Sequence, residues 1–484
     1  MGLRDILTDP TLLVERALIG GQWIDSKDRL EVNDPATGEI IGHVPDLSGD
    51  ETEQAIAAAD KTFAEWRRTT AQHRSGLLKA WYRLIVENAE DLATILTAEQ
   101  GKPLAEARAE ILYSASFVEW FAEEAIRAYG DIIPSPNAIV RILALRQPIG
   151  VAAAITPWNF PSAMITRKVA PALAAGCTVV VKPSEITPFS ATAIGLLAQR
   201  AGIPTGALNI VTGRPRPIGA ALCASPTVRK LSFTGSTAVG KYLFEACAPT
   251  LKKLSLELGG NAPFIIFNDA DLSAATEGLI ASKFRNSGQT CVCANRIYVQ
   301  DGIYDAFADH LATRVKALTM GNGRSAGVQI GPLINQQGLA KVLNHLEDAV
   351  SKGAGIVVGG TARNGTFFTP TVLRDVNDDM KLANEETFGP IAPLFRFKTE
   401  EEAITRANAT PFGLASYIYT RDVARVFRVT EALDFGMVGV NHGSVSTAVA
   451  PFGGVKESGL GREGARQGLD EYLEIKAVHL GNIG

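Results

Sequence analysis

A thiol, a carboxylate and an amide in three separate segments are the side chains of this 484-residue chain most able to do chemistry. The thiol lies in Phe284-Arg285-Asn286-Ser287-Gly288-Gln289-Thr290-Cys291-Val292-Cys293, where Cys291 follows a glycine-containing turn and Arg285 stands six residues upstream. A cysteine attacks only as its thiolate, so a reactive one needs positive potential, partial exposure and an open backbone approach. This run could supply all three, and Cys291 then reads as an activated nucleophile. The alternative is that Cys291 and Cys293 alternate along a strand or loop, one of them buried as a small hydrophobe. The carboxylate is Glu257, in Leu256-Glu257-Leu258-Gly259-Gly260-Asn261. An apolar surround raises a carboxyl pKa toward the working pH, which suits a general base, and the glycines let the chain turn tightly beside a ligand. A strand-end glutamate in a salt bridge is the plainer reading. The amide is Asn159, held between prolines and aromatics in Thr156-Pro157-Trp158-Asn159-Phe160-Pro161. A stiffly mounted N–H can stabilise an oxyanion, a role worth about 3 kcal/mol for one donor, although an isolated loop Asn more often satisfies its own turn.

Such groups need large scaffolds to bring them together. The chain is long enough for at least two cores, since single cores stop growing near about 250–300 residues. With 46% hydrophobic and 20% charged residues it has the composition of a globular protein, and a net charge of −4 offers no broad basic surface for nucleic acid. The first 21 residues mix charges into short apolar pieces, unlike a secretory signal or a spanning helix. Five scattered cysteines form no disulfide framework, and no histidine stands near Cys291 and Cys293 to complete a metal site. The expectation is a cytoplasmic protein with no metal and no membrane partner.

Residues 50–129 are rich in Ala, Glu, Leu and Arg at helical spacing, with Pro103 placed as a helix-start proline. Residues 139–146 and 472–480 are β-rich runs that read as exposed strands in need of a partner. Between 150 and 258, short apolar runs (151–155, 178–181, 208–211, 231–233) alternate with Ala-rich helical stretches, the pattern of a parallel sheet covered by helices. A second such alternation runs from 263 to about 440. The fold class is therefore α/β with two parallel-sheet domains. Lys182 and Gly235 each fall just after a strand-like run, where parallel sheets bind ligands. Gly235-Ser236-Thr237-Ala238-Val239-Gly240 carries only two of the glycines of a dinucleotide fingerprint, and by spacing alone a plain strand-helix turn fits equally.

The three chemical segments together resemble the aldehyde dehydrogenase superfamily, in which Pro-Trp-Asn-Phe-Pro, Glu-Leu-Gly-Gly and Gly-Gln-x-Cys occur in this order. Lys182-Pro183-Ser184-Glu185, Phe233-Thr234-Gly235-Ser236-Thr237, Glu385-Glu386-Thr387-Phe388-Gly389-Pro390 and Pro451-Phe452-Gly453-Gly454-Val455-Lys456 extend the likeness over nearly the whole chain. The resemblance implies a Rossmann-like NAD(P)-binding domain (1–130 and 147–257), a catalytic domain (258–464) and a β oligomerisation extension (131–146 and 465–484) in a homodimer or homotetramer. It further implies that Cys291 attacks an aldehyde, Asn159 and the Cys291 N–H hold the oxyanion, and Glu257 activates water to release a carboxylate. The cofactor, NAD or NADP, would meet Thr156, Trp158, Gly235 and Ser236, with Lys182 and Glu185 on the adenosine ribose and Glu386 and Phe388 at the nicotinamide end. Glu185 favours NAD, because a carboxylate accepts from free ribose hydroxyls and repels a 2′-phosphate.

Within that superfamily, Met164-Ile165-Thr166-Arg167-Lys168, the Cys291 loop and Gly459-Leu460-Gly461-Arg462-Glu463-Gly464 are most similar to succinate-semialdehyde dehydrogenases. That likeness implies a semialdehyde whose distal carboxylate is bound by Arg167, Arg285 and Ser446, guanidinium groups and a hydroxyl being suited to a planar anion. The alternatives are that Arg167 lies on a helix surface and Arg285 pairs with an acid. His442 departs from the subfamily in a segment that borders its substrate tunnel, so glutarate semialdehyde is the nearest other substrate. The subfamily also includes members whose two loop cysteines form an inactivating disulfide, which makes Cys293 a candidate redox partner. A CoA-acylating dehydrogenase would not need Glu257, and a non-catalytic protein of dehydrogenase fold would be expected to lose the nucleophile or the base.

Overall fold

The computed structural model describes residues 2–481. The apolar runs expected as strands form two large sheets. The first has the order Gly459–Leu460, Lys253–Glu257, Val228–Thr234, Val151–Ile155, Thr178–Lys182, Leu208–Ile210, Ala17–Ile19 and Gln22–Ile24. Its five central strands are parallel and both faces are covered, so their side chains are buried almost without alternation. From Val151–Ile155 the chain steps outward through two strands, then returns to the other side of Val151–Ile155 to add Val228–Thr234 and Lys253–Glu257. That reversal opens a crevice at the carboxyl ends of Val151–Ile155 and Val228–Thr234, where Trp158 and Gly235 follow.

The second sheet has the order Gly355–Val358, Thr371–Arg374, Ile391–Phe397, Ala294–Gln300, Ala262–Ile266, Ala415–Tyr419 and Met437–Val440. It is parallel except for its first pair, Gly355–Val358 running antiparallel to Thr371–Arg374. The 356–358 run, read from sequence within the parallel alternation, thus forms an antiparallel edge. The strand is short and partly exposed, as edge strands commonly are. One strand also crosses the partition drawn from sequence. Gly459–Leu460, within the segment assigned to the catalytic domain, pairs antiparallel with Lys253–Glu257 in the first sheet.

The helical block resolves into Gly49–Trp66, Ala71–Glu87, Ala89–Gln100 and Leu104–Ala125, the last starting directly after Pro103. The two β-rich runs find each other: Val140–Pro148 pairs along its length with Leu473–Gly481, and Asp131–Ile133 adds a third antiparallel strand. Apart from Leu473, which joins the first core, this small sheet is largely exposed and leaves Ile132 at 81% and Ile475 at 72% exposure. Residues 482–484 of the expected oligomerisation segment lie outside the described residues. Among the described residues no helix is long and apolar enough to cross a membrane, and no group of three or more His, Cys, Asp or Glu could hold a metal ion.

Candidate active site

The carboxyl ends of the first sheet face the amino ends of the second across a cavity of about 560 Å³. Pro157, Trp158 and Asn159 enter it from the loop after Val151–Ile155, Thr234 to Ser236 from the end of Val228–Thr234, and Cys291 from the loop before Ala294–Gln300. Glu386 to Phe388, which precede Ile391–Phe397, close the side opposite. Residues far apart in sequence meet here because parallel strands gather their ends on one edge.

The Cys291 loop is held in an unusual backbone shape. Asn286, Ser287 and Gly288 are all left-handed, at φ 50°, 55° and 75°, a conformation that costs free energy for the first two and persists only when neighbours enforce it. The enforcing contacts are specific. Asn286 N–H donates to Glu106 at 2.7 Å, its amide donates to the Asn159 carbonyl at 2.9 Å, and Gln100 donates to its amide oxygen at 3.0 Å. Tyr417 OH donates to the Val292 carbonyl at 2.8 Å on the far side of the thiol. Gly260 provides the close approach: a Cβ there would lie 2.4 Å from the Cys291 carbonyl oxygen. The Gly-Gly bend after Glu257 therefore makes room for the nucleophile's own backbone, with ligand contact a secondary use.

Cys291 is partly exposed to the cavity and free. Arg167 and Arg285 supply the positive potential expected from sequence, yet burial outweighs them and pushes the thiol up to about 12. The resting group is consequently a protonated thiol, and its attack needs a proton acceptor. Asn159 is buried and donates one amide N–H to the Gln289 carbonyl at 3.0 Å, leaving its second N–H uncommitted. Its carbonyl is clamped by Lys102 Nζ at 2.8 Å, and Lys102 in turn pairs with Glu110 at 2.6 Å, both side chains fully buried.

Glu257 ends the Lys253–Glu257 strand, buried, with neither carboxylate oxygen hydrogen-bonded. Desolvation and then Glu463 raise its pKa well above the ordinary range, against the pull of Arg167, Lys168 and Arg462. The surround is thus not the apolar one read from its leucine neighbours, which pack into the core on the opposite face while Glu257 faces a charged cluster. At the centre of that cluster Glu463 accepts from both Arg167 and Lys168.

Arg167 is neither on a helix surface nor free: it is buried on Ala163–Ala175, paired to Glu463, and lies 4.0 Å over the Phe452 ring. Its Nη2 still has no partner. Arg285 makes no ion pair among the described residues, rests 5.3 Å over Phe160, and also has an unpaired Nε. Ser446 is half-buried in the 441–450 loop and makes no side-chain hydrogen bond among the described residues. Cys293 is buried, with its Sγ turned to the Lys283 carbonyl at 3.5 Å, away from the cavity that Cys291 faces.

The residues expected at the cofactor divide into two groups. Trp158, Gly235, Ser236, Glu386 and Phe388 line the cavity. Ser236 caps the helix Thr237–Cys247, whose N-terminal N–H groups suit a phosphate, and a Cβ on Gly235 would strike the Phe233 ring at 2.4 Å. Phe388, left-handed at φ 56°, meets Trp158 edge to face at 5.5 Å. Burial raises Glu386 to about 7. Thr156 and Lys182 sit next to one another outside the cavity, joined by Thr156 N–H donating to the Lys182 carbonyl at 3.0 Å. Lys182 Nζ pairs with Glu185 at 2.6 Å. The hydroxyls of Thr156 and Thr234 are buried without partners. Orphaned hydroxyls, a helix N-terminus, a glycine-lined approach and a carboxylate-ammonium pair together fit a dinucleotide.

A family model described as "Aldehyde dehydrogenase family" matches residues 23–478. The chain belongs to that family. Glutarate-semialdehyde dehydrogenase of Pseudomonas aeruginosa is 58% identical over 481 residues, 99% of this chain and 100% of that protein. Succinate-semialdehyde dehydrogenase [NADP(+)] of Escherichia coli is 57% identical over 479 residues, 98% of this chain and 99% of that one. The crystal structure of succinate-semialdehyde dehydrogenase from Burkholderia pseudomallei superposes with a TM-score of 0.98 at 57% identity, covering 98% of this chain and 100% of that one. This aldehyde dehydrogenase is accordingly an NAD(P)-dependent oxidoreductase of small aldehydes. Sequence reading missed Lys102, Glu110, Asn286 and Glu463, which hold the site from behind. A buried ion pair leaves no local pattern, and only the resemblance at Gly459 to Gly464 brushed past Glu463.

Proposed function

We propose that this aldehyde dehydrogenase oxidises succinate semialdehyde to succinate. The observation that carries the substrate is the buried Arg167 and the half-buried Arg285, whose Nη2 and Nε are shielded from solvent without partners while the two guanidinium groups lie over Phe117, Phe452 and Phe160. Buried donors without acceptors are costly unless a ligand supplies the acceptor, and a distal carboxylate does so. Ser446 adds a hydroxyl from the 441–450 loop. Glutarate semialdehyde, one methylene longer, is the second reading, supported by the name of the Pseudomonas aeruginosa relative and by the unusual His442 in that loop.

In the reaction, Cys291 passes its proton to solvent water in the cavity and its sulfur bonds to the aldehyde carbon. The oxyanion that forms is met by the free N–H of Asn159 and by the Cys291 backbone N–H. When bound, NAD(P) would supply the hydride acceptor, with Trp158, Gly235, Ser236, Glu386, Phe388, Thr156, Lys182 and Glu185 as the residues that would hold it. Loss of hydride leaves a thioester on Cys291. Glu257, close enough to perturb the Cys291 thiol, takes a proton from water as it attacks. Collapse of that adduct breaks the C–S bond and releases the carboxylate. Glu185 favours NAD, while its pairing with Lys182 and the NADP-dependent Escherichia coli relative support use of both. We further propose the three-part domain division drawn from sequence, a cytoplasmic homodimer or homotetramer joined through the three-stranded sheet, and peroxide inactivation through a Cys291–Cys293 disulfide with release of water. In the last case a Cys293→Ala variant keeps its peroxide sensitivity but loses recovery on adding a thiol reductant; recovery equal to wild type removes the idea.

The decisive experiment compares kcat/KM for succinate semialdehyde with that for butanal, under NAD and under NADP, in wild type and Arg285→Ala. A large ratio that collapses in the variant supports a carboxylate read by this arginine. A wild-type ratio near one leaves a general aldehyde dehydrogenase.

A further inference from the structure

Tyr113, which no motif singles out, stands between the two arginines. It lies on the Leu104–Ala125 helix, on a different side from Ser114, which bonds Ser162 at 2.8 Å and Thr166 at 3.0 Å. The Tyr113 ring meets Phe117 edge to face at 4.8 Å and packs against the small buried cluster of Phe160, Ala163 and Met164. Arg167 lies 5.9 Å over that same Phe117, and Arg285 5.3 Å over that same Phe160. Arg167 thus rests on a ring that touches Tyr113, and Arg285 on a ring of the cluster against which Tyr113 packs. The phenol oxygen is shielded from solvent and lies beside the Arg167 guanidinium without a well-formed hydrogen bond, so its O–H is uncommitted, and Arg167 Nη2 and Arg285 Nε have no partner either. Burial keeps the phenol protonated against the influence of Arg167 and Arg285, so it is available as a donor.

Buried hydroxyls are normally paired, so three unpartnered donors around one pair of aromatic rings ask for a single acceptor-rich group. We propose that Tyr113 donates its O–H to the distal carboxylate of the substrate, beside Arg167 and Arg285, and so helps set the preference for anionic aldehydes. This rests on the semialdehyde reading above. A hydrogen-bonding site of this kind discriminates strongly, because a substrate without the anion leaves the buried donors unpaired.

The test is Tyr113→Phe, assayed beside Arg285→Ala with succinate semialdehyde and with butanal. The phenylalanine keeps the ring contacts and deletes only the unpaired hydroxyl, so the thermal midpoint stays level or rises. For succinate semialdehyde kcat/KM falls about tenfold, mainly through KM, while butanal changes by less than about twofold. Equal losses on both substrates, or no loss on either, would overturn the role of Tyr113. If Arg285→Ala abolishes the preference and Tyr113→Phe leaves it intact, only the tyrosine inference fails. If neither variant moves the ratio, the semialdehyde reading fails and takes this one with it.

Discussion

On the Asn159 side of Cys291, Lys102 is matched by Glu110 and by the Asn159 carbonyl, Glu110 also accepts from Ser162 N–H at 3.0 Å, and Asn286 joins the same carbonyl. The groups that face the proton or the substrate are left open instead: both Glu257 oxygens, Arg167 Nη2, Arg285 Nε and the Tyr113 hydroxyl make no hydrogen bond. Glu257 and Arg167 are as buried as Lys102 and Glu110, so solvent access does not explain the contrast between them. What differs is when each acts. An oxyanion donor is effective when it is fixed before charge develops, so everything behind it is spent on holding it still. Groups that must accept a proton or grip a substrate need spare hydrogen-bonding capacity, and the fold tolerates its cost there.

The larger effect should come from breaking the satisfied side. Lys102→Met strands the Glu110 carboxylate in the interior, and removing one partner of a buried ion pair costs about 3–5 kcal/mol. The variant should melt well below wild type in denaturant or heat. Because the Asn159 turn loses its anchor, any folded fraction should also show a depressed kcat with KM for the aldehyde little changed. A variant that is stable and fully active would mean that the clamp does not position Asn159.

That clamp marks where sequence stopped being informative. The parallel sheets were legible because doubly covered strands are short unbroken apolar runs, and 151–155 became the strand Val151–Ile155. The two ribbon runs were legible as strands in search of partners, although nothing in either announced that each would pair with the other. Cys291, Glu257 and Asn159 were singled out from local chemistry, and their meeting follows from topology that no local window encodes. Sequence misjudged their surroundings. Leucines beside Glu257 suggested an apolar pocket, but strand neighbours point to the opposite face, and the facing groups come from Arg167, Lys168 and Glu463, distant in the chain. Arg285 upstream of Cys291 suggested a lowered thiol pKa, but the balance is decided by burial, which is a property of the packed molecule.

Glu257→Gln tests the unsatisfied side and should act with the opposite sign on stability. A buried carboxyl whose pKa is raised by desolvation and by Glu463 binds its proton more tightly when folded than when unfolded. Its contribution is therefore fully present below the ordinary carboxylate pKa of about 4.3 and is lost as pH rises through the higher folded value. Glutamine carries no such liability. The variant should match wild type near pH 4.5 and become more stable by about 1 kcal/mol in the alkaline range, where wild type holds a desolvated charge. Activity moves the other way. With its base gone the enzyme should still form the thioester and release one equivalent of reduced cofactor in a burst, then stall, with steady-state kcat down roughly a thousandfold. In wild type the steady-state rate should climb with pH above the ordinary carboxylate range as Glu257 deprotonates, and the glutamine variant should lose that limb. Stability that falls in the variant at every pH would show that Glu257 is a satisfied structural residue, and the contrast between the two sides of Cys291 would dissolve.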